Sequence, residues 1–280
     1  MDKVESVANM RALAARLRAR KGGLSLVPTM GALHAGHEAL IGAAQSAGGH
    51  VVVSIFVNPL AFGLNENFAG YPRSLDADLA VCSRLGVSAA FVPTAADLYP
   101  RGFSTYVTEE HVSKPLCGIS RPTHFRGVAT LAAKLLNIVG PDRLYLGQKD
   151  AQHVAVLRKL IADLNYDVEI VVVPTVREAD GLAAAVRNRE LSNGQRQDSV
   201  AINKALKRVK EMVSAGMLSS DRLVAEATHI MGQHRRVRVI YVSIADPDTM
   251  EPVREVVPGR TLICIAAWLD EVRLTDNAVL

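Results

Sequence analysis

Apolar positions in this chain alternate between two periods. Val7, Met10, Leu13 and Leu17 share one helical face, and Gly22-Gly23 ends that helix. Leu24–Val27 is a short apolar run that reads as a buried strand. After a glycine-punctuated loop, Glu38–Ala47 has helical spacing and Val51–Val57 is a second apolar strand. Asn58–Pro72 is rich in turn residues. Ser74 predicts an N-cap for a helix reaching Leu85, Gly86 stops it, and Ala89–Val92 is the next strand.

The alternation continues with a helix over Gly127–Val139, a strand over Arg143–Leu146, a helix over Asp150–Leu164 and a strand over Val168–Val173. Strands that are apolar along their length and alternate with helices imply a parallel sheet covered on both faces. The expected fold is therefore α/β, a doubly wound Rossmann-like parallel sheet, which binds ligands at the carboxyl ends of its strands. The pattern changes near Pro174-Thr175. Two helices (Ala201–Ala215 and Asp221–Met231) precede strand-like runs at Val237–Ala245, Thr261–Trp268 and Val272–Thr275, with Asp246-Pro247-Asp248 as a hairpin-like turn. Helices and strands in separate blocks predict a second, smaller α+β domain, so the expected division is 1–175 and 176–280.

Composition narrows the class. With 280 residues, 49% of them hydrophobic, the chain can bury a large α/β core. No apolar run is long enough to span a bilayer, and the charged start Met1-Asp2-Lys3-Val4-Glu5 is unlike a signal peptide, which predicts a cytoplasmic protein. Cys82, Cys117 and Cys264 are odd in number and scattered, which supports neither a disulfide framework nor a zinc site. The net charge of +4 leaves basic blocks such as Lys207-Arg208-Val209-Lys210, but no aromatics interleave with them. They read as solvated faces, and no nucleic-acid partner is expected.

The chemistry concentrates in Pro28-Thr29-Met30-Gly31-Ala32-Leu33-His34-Ala35-Gly36-His37, which follows the first strand and opens a helix. A helix start has unpaired N–H groups and the positive end of a dipole, so it attracts phosphate. Gly31 and Gly36 allow a ligand close to the backbone. His34 and His37 can both donate to phosphate oxygens as charge builds during nucleotidyl transfer. The same pair could be half of a metal site, or ordinary loop histidines, but no third metal ligand of suitable spacing stands out.

PTMGALHxGH resembles the signature of the pantothenate synthetase (pantoate–β-alanine ligase) family, within the HIGH-type nucleotidyltransferase superfamily. Further segments follow in family order: Ser54-Ile55-Phe56-Val57-Asn58-Pro59, Tyr71-Pro72-Arg73 and Arg121-Pro122-Thr123-His124-Phe125-Arg126-Gly127-Val128. Gly147-Gln148-Lys149-Asp150, Pro174-Thr175-Val176-Arg177-Glu178 and Arg273-Leu274-Thr275-Asp276-Asn277 complete the series, so the likeness runs from end to end.

The resemblance implies an ATP-dependent ligase. The acid's carboxylate attacks the α-phosphorus of ATP, pyrophosphate leaves, and an amine then attacks the acyl-adenylate to form an amide and AMP. Catalysis of that kind is mostly positioning and neutralisation of phosphate charge. The resemblance implies catalytic roles for His34, His37, Lys149 and Arg187, and an ATP site lined by Met30, Gly31, Gly36, Gly147, Asp150 and Val176. Asp150 is placed to accept from ribose hydroxyls. It also implies Mg²⁺ on the ATP phosphates, with Asp78 as a helper, and a homodimer through the main domain. Arg187 would swing over the nucleotide as the second domain closes.

This chain departs from the family pattern at the substrate positions. Asn58, Ala61 and His153 fall where the family has its acid pocket, but Ala61 and His153 replace two glutamines that contact pantoate. The family's Met-Ser-Ser-Arg-Asn loop reads Ala184-Ala185-Val186-Arg187-Asn188, without either hydroxyl. Thr123 replaces a usual Gly and Gln148 a usual Glu. A site built to bond substrate hydroxyls loses discrimination when its polar partners go. Three readings follow: pantothenate synthesis with an atypical pocket, a ligase of the same chemistry acting on a different acid or amine, and a nucleotide-binding relative without activity.

Overall fold

The computed structural model describes residues 1–63 and 66–280. The first part of the chain runs β1 (Asp2–Val4), α1 (Val7–Arg18), β2 (Leu24–Thr29), α2 (Ala35–Ser46), β3 (His50–Ile55), α3 (Leu75–Arg84) and β4 (Ala89–Phe91). It continues with the short α4 (Ala95–Leu98) and α5 (Cys117–Ser120), then α6 (His124–Val139), β5 (Arg143–Gly147), α7 (Ala151–Asp163) and β6 (Glu169–Val173). The remainder is α8 (Asn193–Ser214), α9 (Ser220–Gly232), β7 (Val237–Ala245), β8 (Leu262–Leu269) and β9 (Val272–Val279). Two compact units result. One comprises Met1–Gly147 and Val156–Pro174, the other Gln148–Ala155 and Thr175–Leu280.

The first unit holds a six-stranded sheet in the order β1-β4-β3-β2-β5-β6, with every pairing parallel. Its strands bury both faces, as their continuous apolar runs require. Leu24, Leu26, Val52, Phe91 and Leu144 pack with Met10 and Leu13 of α1 and Leu135 of α6. Their neighbours Val27, Val51, Val53, Ala90 and Tyr145 pack on the opposite side with Leu40 and Ile41 of α2 and Cys82 of α3. Successive strand residues thus enter different cores, which makes the sheet doubly wound as expected. β1 was not expected: Asp2-Lys3-Val4 lacks an apolar run and becomes a strand by pairing with Ala89, Ala90 and Phe91.

The second unit is built on the antiparallel sheet β7-β8-β9. Ile263, Ile265 and Ala267 of β8 and Leu274 of β9 pack against Ile202, Leu206 and Val209 of α8 and Leu223, Ala227 and Met231 of α9. Two boundaries differ from expectation by four residues or more. α8 starts eight residues earlier, at Asn193 rather than Ala201, because Ser192 accepts from the Gln195 N–H and Gln195 answers in a capping box. β9 runs through Asp276 and Asn277 to Val279 although both residues are disfavoured in strands. The turn at Asp246 is present: its carboxylate accepts from the Asp248 and Thr249 N–H groups, and Ala245 pairs with Pro252.

Among the described residues no helix is long and apolar enough to cross a membrane.

Candidate active site

β2 and β3 are neighbours in register, with Thr29 opposite Ile55, and the chain leaves both at their carboxyl ends. The Phe56 N–H donates to the Thr29 carbonyl, which holds the two departing loops side by side. At the first, Thr29 Oγ1 donates to the Ser54 carbonyl and accepts from the Gly31 N–H. Gly31 has φ +80°, and a Cβ there would lie 3.0 Å from an oxygen of Asp78. Ala32 follows at φ 50°, a left-handed conformation that an alanine adopts only under constraint. The constraint is Asp78, whose two carboxylate oxygens accept from the Ala32 N–H at 2.9 Å and the Leu33 N–H at 2.8 Å.

In this structure Asp78, expected as a helper for Mg²⁺, has both carboxylate oxygens engaged by the backbone. Asp78 is 2% exposed, also receives the Ser74 hydroxyl, and is the internal anchor of the loop. Among the described residues no three His, Cys, Asp or Glu side chains gather as a metal site.

α2 then begins with an unusual cap. His34 is the N-cap, in extended conformation, and its Nδ1 accepts from the Gly36 N–H at 3.1 Å. His37 Nδ1 accepts in turn from the His34 N–H at 3.3 Å, closing a capping box made of two imidazoles. An Nδ1 that accepts from the backbone leaves a neutral ring's proton on Nε2. The cap thus selects the Nε2–H tautomer on both rings when they are neutral. Met30, Gly31, Gly36 and both histidines lie in this one loop and first turn.

The second loop carries Asn58 and Ala61. Asn58 is 1% exposed, and its amide is largely used internally. Its oxygen accepts from the Leu60 N–H and the Tyr99 hydroxyl, and its nitrogen donates to the Gly127 carbonyl. It acts first as a joint between this loop and α6. α6 approaches so closely that a Cβ on Gly127 would lie 2.1 Å from the Leu60 carbonyl oxygen. The Ala61 carbonyl accepts from His124 Nδ1 at 2.8 Å and Arg121 Nη2 at 3.1 Å, while Arg121 forks onto Glu66. The Arg121–Gly127 motif, which had no role from sequence, is the frame of this loop. Ala61 itself presents only a buried methyl, 5% exposed.

Most of the remaining expected residues lie in the second unit. Lys149 and Asp150 form a 3₁₀ turn ahead of α7, with Lys149 Nζ 3.8 Å from the Asp150 carboxylate. Asn277 of β9 donates to the carbonyls of both Gln148 and Lys149, a contact that sequence did not foretell. His153 is half-buried on α7. Arg187 is half-buried on a 3₁₀ turn, Val186–Glu190. Val176 lies at the base of its loop and accepts from the Ala184 N–H. Asn188, next to Arg187, donates to Glu178 and to the Ala183 carbonyl, and Arg196 bridges Glu178 and Asp180. In the first unit Gly147 ends β5, and a Cβ there would meet nothing within 4 Å.

The fold and this loop define a doubly wound α/β protein with a donor-rich helix start at the end of β2. The family model described as pantoate-beta-alanine ligase matches residues 2–279, and the chain belongs to that family. It is 45% identical to a pantothenate synthetase of Acidobacterium capsulatum, over 100% of this chain and 97% of that protein. It is 43% identical to one from Moorella thermoacetica, over 100% and 99%. The crystal structure of pantothenate synthetase from Thermus thermophilus matches with a TM-score of 0.94 at 38% identity, covering 100% of this chain and 99% of that one. Pantoate-beta-alanine ligase from Francisella tularensis, complexed with beta-gamma ATP and beta-alanine, matches with a TM-score of 0.82 at 29% identity, covering 100% and 97%.

Proposed function

We propose that this chain joins a carboxylic acid to an amine through an acyl-adenylate made from ATP. The observation that carries the reading is the reciprocal His34–His37 cap, which fixes two Nε2–H donors at a helix start. A carboxylate oxygen attacks the α-phosphorus, the bond to the β-phosphate oxygen breaks, and pyrophosphate leaves. The amine nitrogen then attacks the activated carbonyl, loses a proton, and expels AMP. His34, His37, Lys149 and Arg187 stabilise charge on the phosphates as it grows. Met30, Gly31, Gly36, Gly147, Asp150 and Val176 bind the nucleotide. The ligands of the Francisella relative, beta-gamma ATP and beta-alanine, support both the nucleotide and an amine of that kind. Mg²⁺ enters this proposal as a ligand of ATP's own phosphates, with no protein carboxylate assigned to it. A homodimer, and 176–280 as the functional second domain, complete the reading.

A second reading concerns the acid. Ala61 offers a buried methyl where the family has an amide, and its backbone carbonyl is already taken by His124 and Arg121. His153 replaces the other amide. This favours an acid other than pantoate. The test is a pyrophosphate-release screen of candidate acids with ATP, followed by mass detection of the adenylate. Pyrophosphate release without any adenylate or amide product would reject the adenylation chemistry. An efficient specificity constant for pantoate would reject the second reading alone.

A further inference from the structure

β9 carries two buried polar residues in succession, Asp276 at 3% and Asn277 at 5% exposure. Both are disfavoured strand residues, and a buried carboxylate is unfavourable unless paired. Successive strand residues face opposite ways, so two neighbours can hold two different segments. Asp276 shares the parity of Val272, Leu274 and Ala278, which pack into the helix-covered core. Its oxygens accept both arms of the Arg177 guanidinium, at 2.7 and 3.1 Å, and the Asn277 N–H at 2.8 Å. Arg177 also donates to the Gly181 carbonyl and pairs with Ala183, at the root of the loop that leads to Arg187.

Asn277 uses its other face for the other cation. Its Nδ2 donates to the carbonyls of Gln148 at 2.9 Å and Lys149 at 2.8 Å, and its Oδ1 accepts from Gln148 Nε2 at 3.0 Å. Among the described residues, every hydrogen bond of this side chain therefore goes to two consecutive residues. A lysine's charge sits on a flexible stem, so the backbone anchor decides what its ammonium can reach. Arginine's fork is directional and depends still more on the frame beneath it.

We propose that Asp276 and Asn277 are positioning residues for the two phosphate-facing cations: Asn277 for Lys149, and Asp276, through Arg177, for Arg187. This rests on the roles given to Lys149 and Arg187 above. The competing explanation is that both residues merely hold β9 in its unit. That explanation makes activity fall in step with stability, whichever cation is present.

The test is a set of double-variant cycles in the whole protein. The readout is pyrophosphate release from ATP with pantoate, or with the fastest acid of the screen above, beside thermal unfolding. Asn277→Asp and Asp276→Asn keep the side-chain shape and each should lower kcat by about 10- to 100-fold, as displacement of a catalytic group does. In Lys149→Ala, Asn277→Asp should change the rate by less than about 2-fold, while keeping its full effect in Arg187→Ala. Asp276→Asn should show the mirror image. If either variant fails to fold, Gln148→Ala tests the Lys149 arm and Arg177→Lys, which loses the fork, tests the Arg187 arm. Equal losses in both cation backgrounds, or losses that only track the melting temperature, would overturn the positioning role alone. Full activity in Lys149→Ala and Arg187→Ala would overturn the cation assignments, and this proposal with them.

Discussion

His34 and His37 cap one another across the first turn of α2, each with Nδ1 turned to a backbone N–H and ring centroids 4.1 Å apart. Helix initiation and the proposed phosphate contact therefore use the two nitrogens of the same rings. The two functions are separable by substitution. Asn is a strong N-cap, so His34→Asn should leave unfolding stability within about 0.5 kcal/mol. Its shorter amide does not reproduce the Nε2–H donor, so adenylate formation should lose about 2–4 kcal/mol of transition-state stabilisation. Urea unfolding and pyrophosphate release measure the two effects. Wild-type rates in His34→Asn and in His37→Ala would remove both rings from catalysis.

Asp78 makes a second prediction, about metal. Asn in its place would aim an NH₂ group at one of the two N–H donors, from Ala32 and Leu33, that the carboxylate now accepts. A buried donor left unmatched costs about 1–3 kcal/mol, so Asp78→Asn should lower stability by that order and weaken ATP binding through the distorted loop. The Mg²⁺ concentration for half-maximal activity should not move. A large increase in it would assign Asp78 to the metal.

The sheet and its paired helices were legible because runs such as Val51–Val57 are apolar along their length and Gly22, Gly23 and Gly86 punctuate them. The loop from Met30 to His37 was legible because glycine and histidine at a strand–helix junction have few structural uses. What sequence could not show was who holds whom. Asp78 lies 45 residues or more from the N–H groups it accepts, and nothing in the local pattern announces that anchoring role. Asn277 lies 128 residues from Lys149, in a stretch too polar to read as strand. The Arg121 and His124 contacts to Ala61 likewise span 60 residues and more. Periodicity reports local geometry, whereas these contacts exist only after the chain has folded.

The loop that bears Arg187 should carry an acid-sensitive contribution to stability. Burial pushes the Glu178 carboxyl up, but hydrogen bonds from Asn188 and Arg196 and the Arg196 charge outweigh it, and the group lies below its ordinary range. Asp180 is held down in the same way by Arg196 and the Leu182 N–H, against burial. Groups depressed by folding stabilise the protein above their unfolded pKa, and that contribution is lost as pH falls through the folded values. Stability should therefore decline below about pH 4.5, where unfolded carboxyls begin to take protons. Arg196→Ala should flatten that decline, because its partners then titrate nearer their ordinary values. Unfolding free energies at several acid pH values provide the check, and an unchanged slope would remove Arg196 as the cause.

The acid substrate is the subject of the last prediction. On the proposed reading, in which Ala61 and His153 replace two family glutamines of the acid pocket, the unmodified protein should use pantoate poorly. It should prefer an acid with fewer hydroxyls, a bulkier group near Ala61, or a second anionic group facing His153. The His124 and Arg121 contacts hold the Ala61 carbonyl rather than its side chain, so Ala61→Gln leaves that frame in place. The position is 5% exposed, however, and the longer side chain must find room, so a modest fall in melting temperature should accompany the change. The Ala61→Gln, His153→Gln double variant should gain about 2–4 kcal/mol in specificity for pantoate if the two contacts act independently. The gain should be smaller if both amides bond one hydroxyl. Ala185 and Val186 lie in the loop proposed to serve the phosphates and are not repaired by this pair, so kcat should stay limited while KM for pantoate improves. The deciding measurement is kcat/KM for pantoate in the unmodified chain. An efficient value would sink the altered-acid reading and mean that water or a neighbouring side chain supplies the bonds the glutamines would have made.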